Sequence, residues 1–441
     1  MMNVALAKTG TGRAVSDIFT LARDGLPGTG KVAEARRQAF DAYQRAGLPH
    51  RRVEEWKYTD LRALMREVLP LAPLPDTAAL ARAREALASA ALDGACKLVL
   101  VNGVFVPELS DIGAFGADLS VRSLREVLDN AGNDARADLL LTEASDVMIS
   151  LNAAMVTDGV VVSVADGAVL AAPIQIVHVA VASQASAFTR SHVRIGKGAR
   201  ATLVESFVAA AGARGYQAHD AVIVWVGDNA QFEHIRLMAD APDAVNIASL
   251  ISTIGAKAKV KLFNMTRGAA VSRFQGFLKM AGEGGELSVN GINLLKGKQH
   301  GDTTLVVDHA VPHCTSREIF RAVVDDRAHS VFQGRIIVRP DAQKTDGKMM
   351  TRALLLSDEA EADNKPELEI FADDVTCGHG ATSGALDESL LFYLRARGLP
   401  EKEAQALLIQ AFLGEAIEQI GDDKLRELVA AAAQDWLEAQ A

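Results

Sequence analysis

Four short tokens recur at nearly even intervals in the middle of the chain: Gly196-Lys197-Gly198-Ala199, Gly227-Asp228-Asn229-Ala230, Gly255-Ala256-Lys257-Ala258 and Gly282-Glu283-Gly284-Gly285. From fourth position to fourth position they stand 31, 28 and 27 residues apart, and each is followed by a β-rich run. A unit of that length cannot bury its own hydrophobic face, so such units must stack on one another as rungs of a solenoid. Val260 and Leu262 alternate with Lys259 and Lys261, the pattern of a half-buried strand. From about Met148 to Thr382 the texture is of short β-rich runs separated by glycine turns. A parallel β-helix is the natural architecture; a β-sandwich would use similar strands and turns.

Helical patterns flank this core. Ala14 to Ala91 shows apolar residues at three and four spacings, with breaks at Pro27, Pro49 and Pro70 to Pro75. Within it, Gly25-Leu26-Pro27-Gly28-Thr29-Gly30-Lys31 imitates a phosphate-binding loop, but Val32 stands where a magnesium-binding hydroxyl is needed and helix precedes it instead of strand. A stretch with one strand-like run, Lys97 to Gly103, and a helical pattern from Leu119 to Leu141 reads as a connector. At the far end Asp387 can cap a helix closed by Gly398, and Pro400 can open another running to about Ile420. Its apolar residues cover several sides, so it must be covered by its own domain or by a partner, and partner docking is the expectation. The resulting division is an N-terminal helical region (1–95), a connector (96–147), a β-helix core (148–384) and a C-terminal helical region (385–441).

Charge and cysteine content narrow the function classes. A net charge of -10 and a pI near 5.6, with no long basic run, argue against nucleic acid as a partner. Cys96, Cys314 and Cys377 are odd in number and form no CxxC pair, which fits a reducing, cytoplasmic setting. Met1 to Gly10 lacks the apolar core of a secretory signal. The apolar stretch Gly167 to Ala182 contains Pro173 and falls short of the ~20 residues of a membrane helix.

Chemistry concentrates in Asp373-Asp374-Val375-Thr376-Cys377-Gly378-His379-Gly380-Ala381-Thr382. Cys377 and His379 stand two apart between flexible glycines, as in a reactive turn; in an extended segment both would share one face. A thiolate beside an imidazole suits transition-metal or sulfur chemistry. The plainer reading makes Cys377 a small buried hydrophobe and His379 a turn residue. Asp308-His309-Ala310-Val311-Pro312-His313-Cys314 offers a second set of ligands, but Pro312 breaks the regularity that would bring them together. The acidic run Asp358 to Asp363 reads as a solvated loop.

Around Cys377 and His379 stand Phe332-Gln333-Gly334-Arg335-Ile336-Ile337-Val338, Ala342-Gln343-Lys344-Thr345-Asp346, Leu354-Leu355-Leu356-Ser357, Lys365-Pro366-Glu367-Leu368-Glu369-Ile370 and Leu391-Phe392-Tyr393-Leu394-Arg395-Ala396-Arg397-Gly398. In this order they resemble the C-terminal core of the SufB/SufD family of iron–sulfur cluster assembly scaffolds. Arg52-Val53-Glu54-Glu55-Trp56-Lys57-Tyr58-Thr59-Asp60-Leu61 resembles the N-terminal signature of the SufD branch. The resemblance implies a right-handed parallel β-helix between two helical regions. It also implies a non-catalytic scaffold that pairs with a SufB-like paralogue and docks a SufC-like ABC ATPase, which would hydrolyse the ATP. His379 would be an iron ligand at the SufB contact and Cys377 a second candidate, holding iron or a cluster transiently. Tyr393, Arg397 and Phe412 match the helical tail and would lie at or near the ATPase contact. Reduced flavin in the complex and a homodimer are further implications. From other classes stand a carbohydrate-active β-helix enzyme and a stand-alone Cys/His metalloprotein using Cys314, Cys377 and nearby histidines.

Overall fold

The recurring tokens are corners of a two-sheet parallel β-solenoid in a computed structural model, which describes residues 10–112, 116–130, 134–141 and 146–439. The N-terminal residues weighed above as a signal, Met1 to Thr9, lie outside the described residues. From Val160–Val164 onward, successive strands fall alternately in a ten-stranded and a nine-stranded sheet, and each pairs in parallel with the strand two places on. Among the described residues sixteen strands run from Val160–Val164 to Thr376–Gly384; at two per turn they make eight turns.

One stacked corner explains the repeat. Gly198, Asn229, Lys257, Gly284, His313 and Lys344 occupy equivalent places in successive turns, all with left-handed backbone, φ from +53° at Lys257 to +72° at Gly284. Gly198 N–H donates to Asp228 O at 2.8 Å, Asn229 N–H to Ala256 O at 2.8 Å and Lys257 N–H to Glu283 O at 2.9 Å. His313 N–H to Gln343 O and Lys344 N–H to Asp374 O continue the ladder. Glycine and asparagine adopt this conformation readily; lysine and histidine are held in it by their neighbours. Hence the repeat fades from the sequence after Gly285 while the structure continues it. Inside, alternate residues of both sheets form a continuous apolar core from Cys96 to Ala372. The Lys259–Arg267 strand buries Val260 and Leu262 and exposes Lys259 and Lys261, as its alternation predicts.

The helical pattern expected from Leu119 to Leu141 is corrected at its start. Leu119–Ser123 is a strand, antiparallel to Val160–Val164; its Leu119 and Val121 pack on the solenoid core with period two, and among the described residues helix follows as Leu124–Asp129 and the 3-10 turn Asp134–Leu140. Cys96–Val101 adds in parallel to Ile174–Ala180, so both strands extend the sheets at their first end. The β region also begins later than Met148, because Val147–Met155 is a buried helix capped by Asp146.

The Arg52 to Leu61 stretch clamps the outside of the nine-stranded sheet. Trp56 is 1% exposed under the guanidinium of Arg273, 3.8 Å from the ring centre, and its Nε1 donates to Asp146 at 2.9 Å. Arg273 donates to Asp302 and to Glu55 O, and the Lys365 ammonium pairs with Glu54. The phosphate-loop imitation is filled from within: Gly28 N–H donates to Asp129 Oδ1 at 2.7 Å, and Val32 crowds the place of a Cβ at Gly28.

The C-terminal helices require another correction. Glu401–Ile417, expected to dock a partner, covers the outer face of the ten-stranded sheet with Ile409, Leu413 and Ile417 against Ile292, Leu294 and Val323. Further apolar residues meet the helix Asp423–Glu438, and Leu407 stays exposed. The shorter helix Glu388–Ala396 buries no residue. No described helix is long and apolar enough to cross a membrane.

Candidate functional site

Cys377 and His379 lie in Thr376–Gly384, the terminal strand of the ten-stranded sheet. The segment is extended, not the reactive turn its glycines suggest; open space surrounds Gly378, while Met350 crowds Gly380. Cys377 and His379 therefore share a face, and register identifies it. His379 stacks on Met349, which stacks on Glu318 and then Val289, all three buried. Cys377 follows Gly347, Ser316 and Leu287 in the neighbouring column. The two residues thus occupy interior columns in the turn where the columns end. Cys377 is half-buried against the core and His379 is exposed.

Electrostatics follow from that position. Burial pushes the Cys377 thiol up, Gly347 N–H opposes this, and Asp346 adds to it. A ligand role at neutral pH therefore requires the arriving cation to displace a proton. Two rungs further in, burial lifts Glu318 to about 8; the Ser316 hydroxyl and Arg317 only partly offset this. Neither Glu318 oxygen has a hydrogen-bond partner among the described residues.

The second sheet ends beside it in Glu361–Ile370, whose residues are nowhere fully buried. Its outward carboxylates pair with Arg335, at 3.5 Å from Glu367 and 3.3 Å from Glu369. Pro366 sits where an edge strand tolerates a missing N–H. Ile370, Phe371, Leu390, Phe392 and Tyr393 are large apolar residues left exposed in this last turn and the helix that follows.

The other candidates are distributed differently. Tyr393 is exposed with the Arg397 guanidinium 5.0 Å from its ring centre; Phe412 is half-buried on the helical layer, 5.6 Å from the Arg321 guanidinium. Asp308 to Cys314 is a solenoid corner whose ligands diverge. Arg339 takes both oxygens of Asp308, His309 bonds Ser316 at 3.0 Å, His313 faces solvent, and Cys314 is buried with its Sγ against Gly282 O. Cys314 does not join Cys377 and His379.

Sequence reasoning missed His178, Glu205 and Asp220, whose ligand atoms lie within 4.8 Å of one another inside the first turns. Each is the one ionisable interior residue of its strand, with other polar residues beside it in the sequence. Their only mark is spacing, 27 residues and then 15, about one turn and half a turn of this solenoid.

The SUF system FeS cluster assembly SufBD core domain matches residues 178–412, and the SufBD protein N-terminal region matches 27–176. The iron–sulfur cluster assembly protein SufD of Escherichia coli K12 is 33% identical over 417 residues, 92% of either chain. An iron–sulfur cluster assembly SufBD family protein of Synechocystis is 31% identical over 402 residues, 88% of this chain and 87% of its own. SufD of Bacillus subtilis is 28% identical over 290 residues, 62% of this chain and 63% of its own.

Proposed function

Since the chain belongs to the SufB/SufD family, on its SufD-like side, and so to SUF iron–sulfur cluster assembly, we propose that it is a scaffold subunit whose open solenoid end meets a SufB-like paralogue. His379, with Cys377 behind it, is then this chain's contribution to a cluster-building site at that contact. One observation carries the reading: His379 occupies a column buried in the three preceding turns and is exposed because no further turn covers it. A partner strand laid against that edge would enclose the imidazole and the thiol together. Neutral imidazole and deprotonated thiol are both ligands for iron, which here is cargo rather than a resident ion.

The helix Glu388–Ala396 and the Tyr393–Arg397 pair suit a second contact, with a SufC-like ATPase. Phe412, half-buried, would support that contact from within the helical layer. Catalysis of ATP hydrolysis belongs to the ATPase in this reading. Flavin and a homodimer are not needed by it, and neither a carbohydrate enzyme nor a stand-alone metalloprotein fits the family.

The test is replacement of His379 by Ala, followed by anaerobic cluster reconstitution of the complex. Cluster yield should fall at least tenfold while the complex still assembles, as expected for loss of a metal ligand. Normal yield from the variant would sink the ligand role.

A further inference from the structure

We propose that His178, Glu205 and Asp220 form a buried site for one divalent first-row cation, zinc or ferrous iron, near the closed end of the solenoid. The proposal is independent of the reading of His379.

Each of the three residues keeps one ligand atom free and has its other contacts arranged behind it. Glu205 Oε2 accepts from His234 Nε2 at 2.7 Å and from Arg236 Nε at 3.1 Å, which leaves Oε1 unpartnered. Asp220 Oδ1 accepts from the Thr189 hydroxyl at 2.7 Å, which leaves Oδ2 unpartnered. The His178 ring lies flat on Phe207, with centroids 4.2 Å apart, and its Nε2 has no hydrogen-bond partner among the described residues. Such backing contacts are how metal sites orient their ligands. His178 Nε2 and Glu205 Oε1 stand 3.5 Å apart, long for a direct hydrogen bond. Two ligands at about 2.0–2.2 Å from a tetrahedral ion would stand ~3.4 Å from each other.

The charge balance and the space both favour a cation. Facing the cluster are the carboxylates of Glu205, Asp220 and Asp240 and the guanidinium of Arg236, all buried, while Arg190 points to the other face of its strand, to Leu139 O, Leu140 O and Asn152. Asp240 is held by the Tyr216 hydroxyl at 2.7 Å and Asn246 at 2.8 Å. Three buried carboxylates share one guanidinium, and a divalent ion would offset the negative charge they carry when ionised. A cavity of about 40 Å³ lined by His178, Phe207, Tyr216, His219, Asp220 and Asp240 lies against the cluster. It has room for waters completing the coordination, since one water needs roughly 10–15 Å³. One imidazole and two carboxylates, with no thiolate, suit zinc or ferrous iron and are a poor match for soft monovalent copper.

The full chain, stripped with a chelator, is reloaded with Zn²⁺ or Co²⁺ alone. About one equivalent should be retained, and zinc-edge X-ray absorption should fit nitrogen and oxygen ligands without sulfur. Zinc should raise the melting temperature of the wild type, and Asp220→Asn should weaken retention at least tenfold, whereas Cys377→Ala and His379→Ala should retain the ion. Failure of the wild type to retain either metal, a sulfur ligand in the absorption spectrum, or retention abolished by Cys377→Ala would each overturn the site. The absorption measurement on wild type decides the matter even where Asp220→Asn does not fold.

Discussion

The two ends of the solenoid are built from the same repeating turn and differ in what lies beyond it. At the first end Cys96–Val101 and Leu119–Ser123 extend the sheets, and interior polar residues such as Glu205 and Asp220 are fully enclosed. At the last end Glu361–Ile370 and Thr376–Gly384 are edges, and the same interior columns emerge as half-buried Cys377 and exposed His379. Residue type does not separate the two ends, since both put ionisable groups in interior columns. The next rung does: in a solenoid each turn is buried by its neighbour, and the terminal turn presents core positions to whatever docks there. An enclosed polar group must find partners within the fold, whereas an emergent one can find them in another chain.

The largest stability effect should come from the flank that holds the body closed. Trp56→Ala removes a side chain that is 1% exposed, supports Arg273 and bonds Asp146. A loss of about 3–5 kcal/mol is expected, measured by urea denaturation of the isolated chain. A loss below about 1 kcal/mol would mean that the N-terminal clamp is not coupled to the solenoid, and the contrast between a sealed body and a bare end would fail.

Glu318 lies between the two regimes, in the column that ends at His379 but two turns inside it. Its folded-state value of about 8 exceeds the ordinary 4.5, so between those pH values the native chain holds a proton that the unfolded chain has released. Stability from this group is therefore present below about pH 4.5 and is lost as pH rises through 8. Glu318→Gln should stabilise the chain on the order of 2–4 kcal/mol at pH 9 and change little at pH 4. Parallel stability–pH curves for variant and wild type would place Glu318 in solvent and move the boundary of the open end inward.

The body was more legible in the sequence than either end. Glycine tokens marked corners where glycine or asparagine relieved a left-handed backbone, and Val260 and Leu262 declared an inward face. The same corners at His313 and Lys344 were invisible, because stacking rather than residue preference sets their backbone. Leu119–Ser123 was mistaken for helix because five residues of alternation preceded a genuine helix, and only pairing with Val160–Val164 fixes it as strand. Cys377 and His379 stood out as residue types, and the resemblance supplied their context. Nothing local announced Glu205 or Asp220, since a lone carboxylate in a strand acquires its partners only when turns 27 to 31 residues apart are stacked.

A smaller effect separates the last turn from the helix after it. Asp387 accepts from Ser389 N–H at 2.8 Å and Leu390 N–H at 3.1 Å, and the helix it caps buries no residue. Asp387→Ala should cost about 1 kcal/mol, confined to that helix and read as faster amide exchange across Glu388–Ala396. Slower unfolding contacts elsewhere should be untouched; a fall in global stability would show that the helix is part of the packed body.

The smallest effect on stability should carry the largest effect on assembly. Phe371 at 60% exposure and Phe392 at 74% contribute little to the isolated fold, so Phe371→Asp and Phe392→Asp should each change its stability by less than about 0.5 kcal/mol. Phe371 directly follows the terminal strand Glu361–Ile370, and Phe392 sits on the unburied helix Glu388–Ala396. If the open edge takes the paralogue and the helix takes the ATPase, a charge at each place should impair one contact and spare the other. Co-purification of both partners with each variant reads this directly. Phe371→Asp should lose the SufB-like subunit and Phe392→Asp the SufC-like one, because a buried unpaired carboxylate is costly only at the interface that buries it. Loss of both partners from either variant would merge the two contacts into one surface, and retention of both would leave the terminal turn a capped end like the first.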